Sequence, residues 1–230
     1  MYILNSIDSP ESSNIQAQSI SNVDNLLDSN PDTYATITAN NARLTLDFGS
    51  TVSIGLMRLK SGVAHNLQSI VVTSSENGVS FTNSFTRTIS NKVWQVIPFE
   101  NYNRQHWRIE FIRTTSSNYS LFEIDFYEVL ADFTANEDHP YKFDPSFINL
   151  EGKAEVKAKL AFEWHYLKQE LVEKLEDIFF ITSGVIILPN SVDKADQIYT
   201  AVWSSVFDFY DTRPTDWTQG KSGAVIFQEI

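Results

Sequence analysis

The stretch LLDSNPDTYATI, residues 26–37, crowds Asp28, Asn30, Asp32 and Thr33 around an Asn-Pro break between apolar runs. Carboxylate, amide and hydroxyl oxygens gathered in one short turn could serve a metal ion or face a ligand. They could equally reverse the chain, because Asp and Asn hydrogen-bond their own backbone and Pro31 presets φ. On these residues alone the three readings stand side by side. Elsewhere the means for chemistry are sparse. The histidines, at 65, 106, 139 and 165, have no ligand-like spacing. His106 and His165 adjoin Trp107 and Trp164 in strand-like runs and read as structural. Glu137, Asp138 and His139 precede Pro140 and read as a solvated turn, and Glu176-Asp177 and Asp208/Asp211 would do acid/base work only inside a pocket. No nucleophile elbow, HExxH, phosphate loop or GxGxxG is present. The expectation is a non-enzymatic protein.

Composition narrows the partners. The 230 residues carry a net charge of −12, with 8 basic against 12 acidic residues over 1–130 and 9 against 17 over 131–230. Neither part holds a basic domain, so attraction to nucleic acid phosphates or anionic lipid is not expected. The absence of cysteine excludes disulfides, thiolate catalysis and sulfur-based zinc sites. No run approaches the roughly 20 apolar residues of a membrane span, and the N-terminus MYILNSIDSP lacks the pattern of an export signal. A soluble chain without membrane insertion is expected.

The elements that must hold any site are mostly strands. In ARLTLDFG, Ala42, Leu44, Leu46 and Phe48 fall on one face at period two while Arg43, Thr45 and Asp47 fall on the other. Similar runs occur at 67–75, 93–99, 106–114 and 121–129, and Asn77-Gly78 supplies a turn. Residues 131–150 carry two prolines and no sustained period, which predicts a linker. Alternation resumes at 154–164. Leu167, Leu171, Leu175, Ile178 and Phe179 then mark one amphipathic helix over 166–180, with Gly184 as its stop. Strand-like runs follow at VIILPN, 197–210 and GAVIFQEI. The expected fold is mainly β: an N-terminal antiparallel β-sandwich over 1–130, the linker, and a smaller α+β module over 151–230.

In order along the chain, LLDSNPDTYA, LTLDFG, SIVVTSSENGVSF, HWRIEF and LFEIDFYEV resemble the landmarks of the discoidin, or coagulation factor 5/8 C-type, domain. The likeness covers about residues 12–130 and implies a galactose-binding-like jelly roll. It also implies a structural calcium as the one candidate ion, no other cofactor being required. Carried over by resemblance, Asp28, Asn30 and Thr33 form the calcium turn and Glu123, on the closing strand, reaches the same ion. Sugar-binding members place polar and stacking residues on loops, and the matching positions here are His65, Asn66, Tyr102, Arg104, Asn118 and Tyr119.

More faintly, LAFEWHYL, VIILPN, IYTAVW and FQEI resemble small β-rich modules of tailed-phage virion proteins. The leading expectation is therefore a virion structural protein, tail- or baseplate-associated and assembled in a host cytoplasm. Its sandwich would decorate the particle or contact a cell-surface glycan, and its C-terminal module would dock to other virion proteins or to further copies of the chain. The alternative is a carbohydrate-binding module of a bacterial surface or secreted system, at the cell surface or outside the cell.

Overall fold

The computed structural model describes residues 1–62, 67–90, 93–115, 117–134, 141–149, 156–191, 195–211 and 220–230. The chain divides into two compact units. One comprises Ser6–Glu128 with Val192–Asp196, and the other comprises Met1–Asn5, Val129–Ser191 and Gln197–Ile230.

The Ser6–Glu128 unit is an antiparallel sandwich whose two layers share two 20-residue strands, Ala42–Ser61 and Trp94–Arg113. Each strand serves both layers because their mutual pairing shifts register between Asp47 and Val52. Gly49 supplies the bend there: its φ is +70°, open to glycine without cost, and its N–H donates to Asp47 Oδ1 at 2.8 Å. In one layer, residues 42–47 lie between Ile15–Gln18 and residues 106–111, which pair in turn with Leu67–Ser75 and, through that strand, with Thr82–Thr88. In the other, Ala35–Ile37 pairs with residues 119–121 of Tyr119–Asp132, that strand with residues 56–61, and those with residues 94–98. The period-two pattern is realised as expected, with Leu44, Leu46, Ile70, Val72, Ile109 and Phe111 meeting Met57, Leu59, Ile97, Leu121, Ile124 and Phe126 in one core. Each such apolar side chain stabilises the fold by about 1.5–3 kcal/mol through burial. The runs 93–99 and 106–114, which read as separate strands, are one strand, because backbone pairing continues through the polar interval between them.

In the second unit Val156–Lys168 lies between Tyr141–Asn149 and Gly220–Glu229; beyond these come Tyr199–Trp203, Val185–Leu188 and Tyr2–Ile7, all antiparallel. The helix Gln169–Phe179 buries Leu171, Leu175 and Ile178 of the apolar stripe seen in the sequence, together with Val172, while Leu167 falls on the preceding strand. Three details differ from expectation. The helix starts at Gln169 because the preceding strand runs on to Lys168, and it stops at Phe179; Gly184, at φ +90°, instead turns the chain into Val185–Leu188. Within the expected linker, Tyr141–Asn149 is a strand, because its backbone groups pair with Val156–Lys168; residues 135–140 and 150 lie outside the described residues. Finally, Met1 and Ile3 join this unit's core, and Tyr2, Ile3 and Leu4 pair with Leu188, Ile187 and Ile186, so the first residues belong here and not with the sandwich. Among the described residues no helix is long and apolar enough to cross a membrane.

Gly223 sits where no side chain fits. A Cβ there would lie 2.5 Å from Phe209 Cδ1 and 2.8 Å from the Asp208 carbonyl oxygen. Because one obstacle is backbone, Gly223→Ala is expected to destabilise the protein by about 1–3 kcal/mol, read as a lower urea midpoint. An unchanged midpoint would contradict this packing.

Candidate functional site: an oxygen-rich turn beside an aromatic strip

The turn within residues 26–37 is braced by its own side chains. Asp28 Oδ1 accepts from the Asn30 N–H at 2.9 Å, and Asp28 Oδ2 accepts from the Thr33 hydroxyl at 2.8 Å. Asn30 Oδ1 accepts from the Asp32 N–H at 3.2 Å, and the Asn30 carbonyl receives the Thr33 N–H at the same distance. Ser29 takes a left-handed φ of +56°. Leu26 and Leu27, immediately upstream, are buried in the sandwich core and anchor the turn to it.

Glu123 lies beneath this turn at 3% exposure. Burial, followed by the carboxylates of Asp125 and Asp28, pushes its carboxyl up to about 7, against the Ser29 N–H that donates to it and the charge of Arg58. Its Oε2 is buried without a hydrogen-bond partner. An orphaned carboxylate oxygen close to a second carboxylate lacks a positive partner, either a proton or a cation. The donors at hand are all oxygen, the set that hard cations such as calcium prefer, and calcium needs six to eight of them. Among the described residues no group of three acidic or histidine side chains is placed to hold a metal ion, so a bound ion would draw its remaining ligands from carbonyl, amide and hydroxyl oxygens. The chemistry of these oxygens suits calcium, which would be held by Asp28 and Glu123 with oxygens of Asn30 and Thr33. Bound there, calcium would supply fixed positive charge that neutralises the buried carboxylate.

Next to the turn, cross-strand register assembles a strip that sequence reasoning missed. Tyr34 follows Thr33 and leads into Ala35–Ile37; Ala35 pairs with Leu121, Glu123 pairs with Lys60, and Lys60 pairs with Trp94. Tyr34, Phe122, Lys60 and Trp94 therefore come from four neighbouring strands or their immediate ends. Tyr34 is 47% exposed, and its ring lies 5.7 Å from that of Phe122 at 52°. Lys60 Nζ lies 5.4 Å from the Phe122 centroid and 5.7 Å from that of Trp94, and it donates to the Pro31 carbonyl at 2.6 Å. Cation–π attraction of this kind contributes about 0.5–1 kcal/mol at exposed sites. The backbone of Tyr34 is held as well, its carbonyl accepting from Asn25 Nδ2 at 3.0 Å. Behind the strip the Arg58 guanidinium stacks 4.1 Å above Trp94 and donates through Nε and Nη2 to Asp125 Oδ2, at 2.8 and 2.7 Å. The signal available in the sequence was an aromatic beside each of two suspected metal donors, Thr33-Tyr34 and Phe122-Glu123.

Among the described residues, the expected sugar-binding positions are spread along the Trp94–Arg113 strand and the loop after it. His65 and Asn66 lie outside the described residues. Asn118 is exposed on a loop that Arg113 ties down, donating through Nη1 to the Ser117 carbonyl at 2.9 Å. Tyr119 is a correction: at 4% exposure it packs in the core, because it starts the period-two row continued by Leu121. Burial pushes its phenol far above the ordinary range. Tyr102 and Arg104 sit midway along Trp94–Arg113, opposite Ile54 and Val52, eight and ten residues from Trp94. There the Tyr102 hydroxyl donates to Glu100 Oε2 at 3.3 Å, and Arg104 pairs with Glu76 at 3.3 Å. Close by in sequence, the Gln105 amide and the Gly49 N–H hold the Asp47 carboxyl below the usual range.

No protein-family model matches the chain, and no curated protein matches it. Among solved structures it is similar to the family 32 carbohydrate-binding module of AlyQ in complex with 4,5-unsaturated mannuronic acid, at 14% identity and a TM-score of 0.45 over 51% of this chain and 96% of that one. A Clostridium perfringens module of the same family, in complex with GalNAc-β-1,3-galactose, aligns at 13% identity and a TM-score of 0.43 over 50% and 95% of the two chains. Another from C. perfringens, in complex with galactose, aligns at 15% and 0.42 over 53% and 98%. By their descriptions all three are binding modules. The likeness to these discoidin-like, galactose-binding-like modules covers about half of this chain and nearly all of each module.

Proposed function

We propose that the sandwich is a carbohydrate-binding module that takes a sugar ring against Tyr34 and Phe122. The observation behind this reading is the half-exposed Tyr34 ring tilted against Phe122, with the Lys60 ammonium beside the pair. A pyranose has an apolar C–H face, which an aromatic ring accepts, and a hydroxylated rim, which needs donors and acceptors. Lys60 spends one N–H on Pro31 and keeps two for a ligand. Binding of this kind needs no catalytic group.

The test is titration calorimetry with galactose, GalNAc-β-1,3-galactose and 4,5-unsaturated mannuronic acid, the sugars named with the similar modules. Binding of at least one is expected. Tyr34→Ala and Phe122→Ala should each weaken it tenfold or more, about 1.4 kcal/mol, with Tyr34→Ala leaving the urea midpoint nearly unchanged because Tyr34 is half exposed. No binding across the panel, or undiminished binding by Tyr34→Ala, would reject the reading. The virion reading draws instead on the C-terminal motifs. It expects the purified protein to assemble into a defined ring or fibre-like oligomer, and a monomer that binds the panel sugars decides for the module.

A further inference from the structure

We propose that cation binding at the oxygen-rich turn and sugar binding on the aromatic strip are positively coupled, so that an occupied turn holds the stacking rings in place. This rests on the sugar site proposed above and adds its regulation. The second observation that makes the turn more than an acidic cluster is Glu123: more than nine-tenths buried, with Oε2 unpartnered, and drawn to the turn by the Ser29 N–H.

Three short links join turn and strip. Tyr34 is the residue after Thr33, whose hydroxyl donates to Asp28 Oδ2 at 2.8 Å. Phe122 is the residue before Glu123, and its ring packs on Tyr34. Lys60, paired across the strands with Glu123, spans both parts, its ammonium on the Pro31 carbonyl and within 5.7 Å of the Phe122 and Trp94 centroids. An ion drawing oxygens of Asp28, Thr33 and Glu123 together would fix the residue next to each ring, Thr33 before Tyr34 and Glu123 after Phe122. A sugar then meets a wall whose ordering cost is already met, which is cooperativity between two ligands that never touch. Linkage makes the effect reciprocal: calcium must tighten the sugar by the same factor as the sugar tightens calcium.

The experiment titrates the sugar panel into the protein with millimolar calcium chloride and again in chelator, and titrates calcium chloride with and without saturating sugar, following heat and tyrosine fluorescence. The expected result is about a tenfold change, equal in both directions, and an Asp28→Ala protein whose sugar affinity with calcium matches that of the wild type in chelator. Equal sugar affinity in calcium and chelator overturns the coupling and leaves the sugar site standing, whether or not calcium binds. Failure to bind any panel sugar under both conditions overturns the sugar site, and the coupling with it.

Discussion

In metal-free solution the protein is expected to lose stability as the pH rises from about 5 to about 8, with Glu123 as the cause. Its carboxyl titrates at about 7 in the folded chain against an ordinary 4.5, burial being the main reason. Between those values the folded state holds a proton that the unfolded state has released, so unfolding is favoured increasingly as the pH climbs. The contribution is fully present below 4.5 and is lost as the pH passes through 7. A shift of this size corresponds to roughly 3 kcal/mol, a large share of the 5–15 kcal/mol that is typical of domains. The check is a series of urea midpoints in chelator at pH 5.5, 6.5, 7.5 and 8.5, taken for the wild type and for Glu123→Gln, which keeps the shape and cannot ionise. The wild type should decline more steeply than the variant, and parallel curves would remove Glu123 from the account. Millimolar calcium should raise the wild-type melting temperature most at high pH, where the carboxylate is ionised and free to hold the ion. Asp28→Ala should abolish that rise, and a wild type indifferent to calcium would end the calcium reading.

Asp125→Ala should destabilise the sandwich by about 3 kcal/mol or more. Asp125 is the charge partner of Arg58, whose side chain is only 8% exposed, stacks on the Trp94 ring and lies near Glu123, which is largely protonated below about pH 7. Removing the carboxylate strands a guanidinium out of water, and it also removes the hydrogen bond between Asp125 and the buried Tyr127 hydroxyl. The double variant Arg58→Met, Asp125→Leu should recover most of the loss, since two apolar side chains of similar bulk need no charge partner. A single-variant cost below about 1 kcal/mol, as at an exposed ion pair, would show that water reaches Arg58 freely.

In LFEIDFYEV only the family resemblance gave Glu123 a role, as a calcium donor, and Asp125 carried none; nothing in the alternation marks either carboxylate as held from water. They are held from water because the turn after Leu27 folds over Glu123, and because Arg58, two residues along from Lys60, pairs with Asp125 from the neighbouring strand. The period of two tells which side chains share a face, and it carries no information on whether that face meets solvent or another segment of chain.

What the sequence determined by itself was local and periodic: the strands around 42–48, 67–75 and 121–129, the helix stripe of Leu171, Leu175 and Ile178, and the Asn77-Gly78 turn. Each follows from backbone preferences and side-chain alternation within a few residues, so each could be read without a partner. Tertiary structure decided what depends on register between distant segments. It set Lys60 opposite both Glu123 and Trp94, made two apparent strands into one at 94–113, turned Tyr119 into the core, and placed Tyr102 and Arg104 well along the strand from Trp94. It also gave the first five residues to the C-terminal unit by pairing Tyr2, Ile3 and Leu4 with Leu188, Ile187 and Ile186. The physical reason is that burial and charge are properties of the assembled surface: a tyrosine after a turn becomes a binding wall only when a phenylalanine nearly ninety residues away is brought to its side.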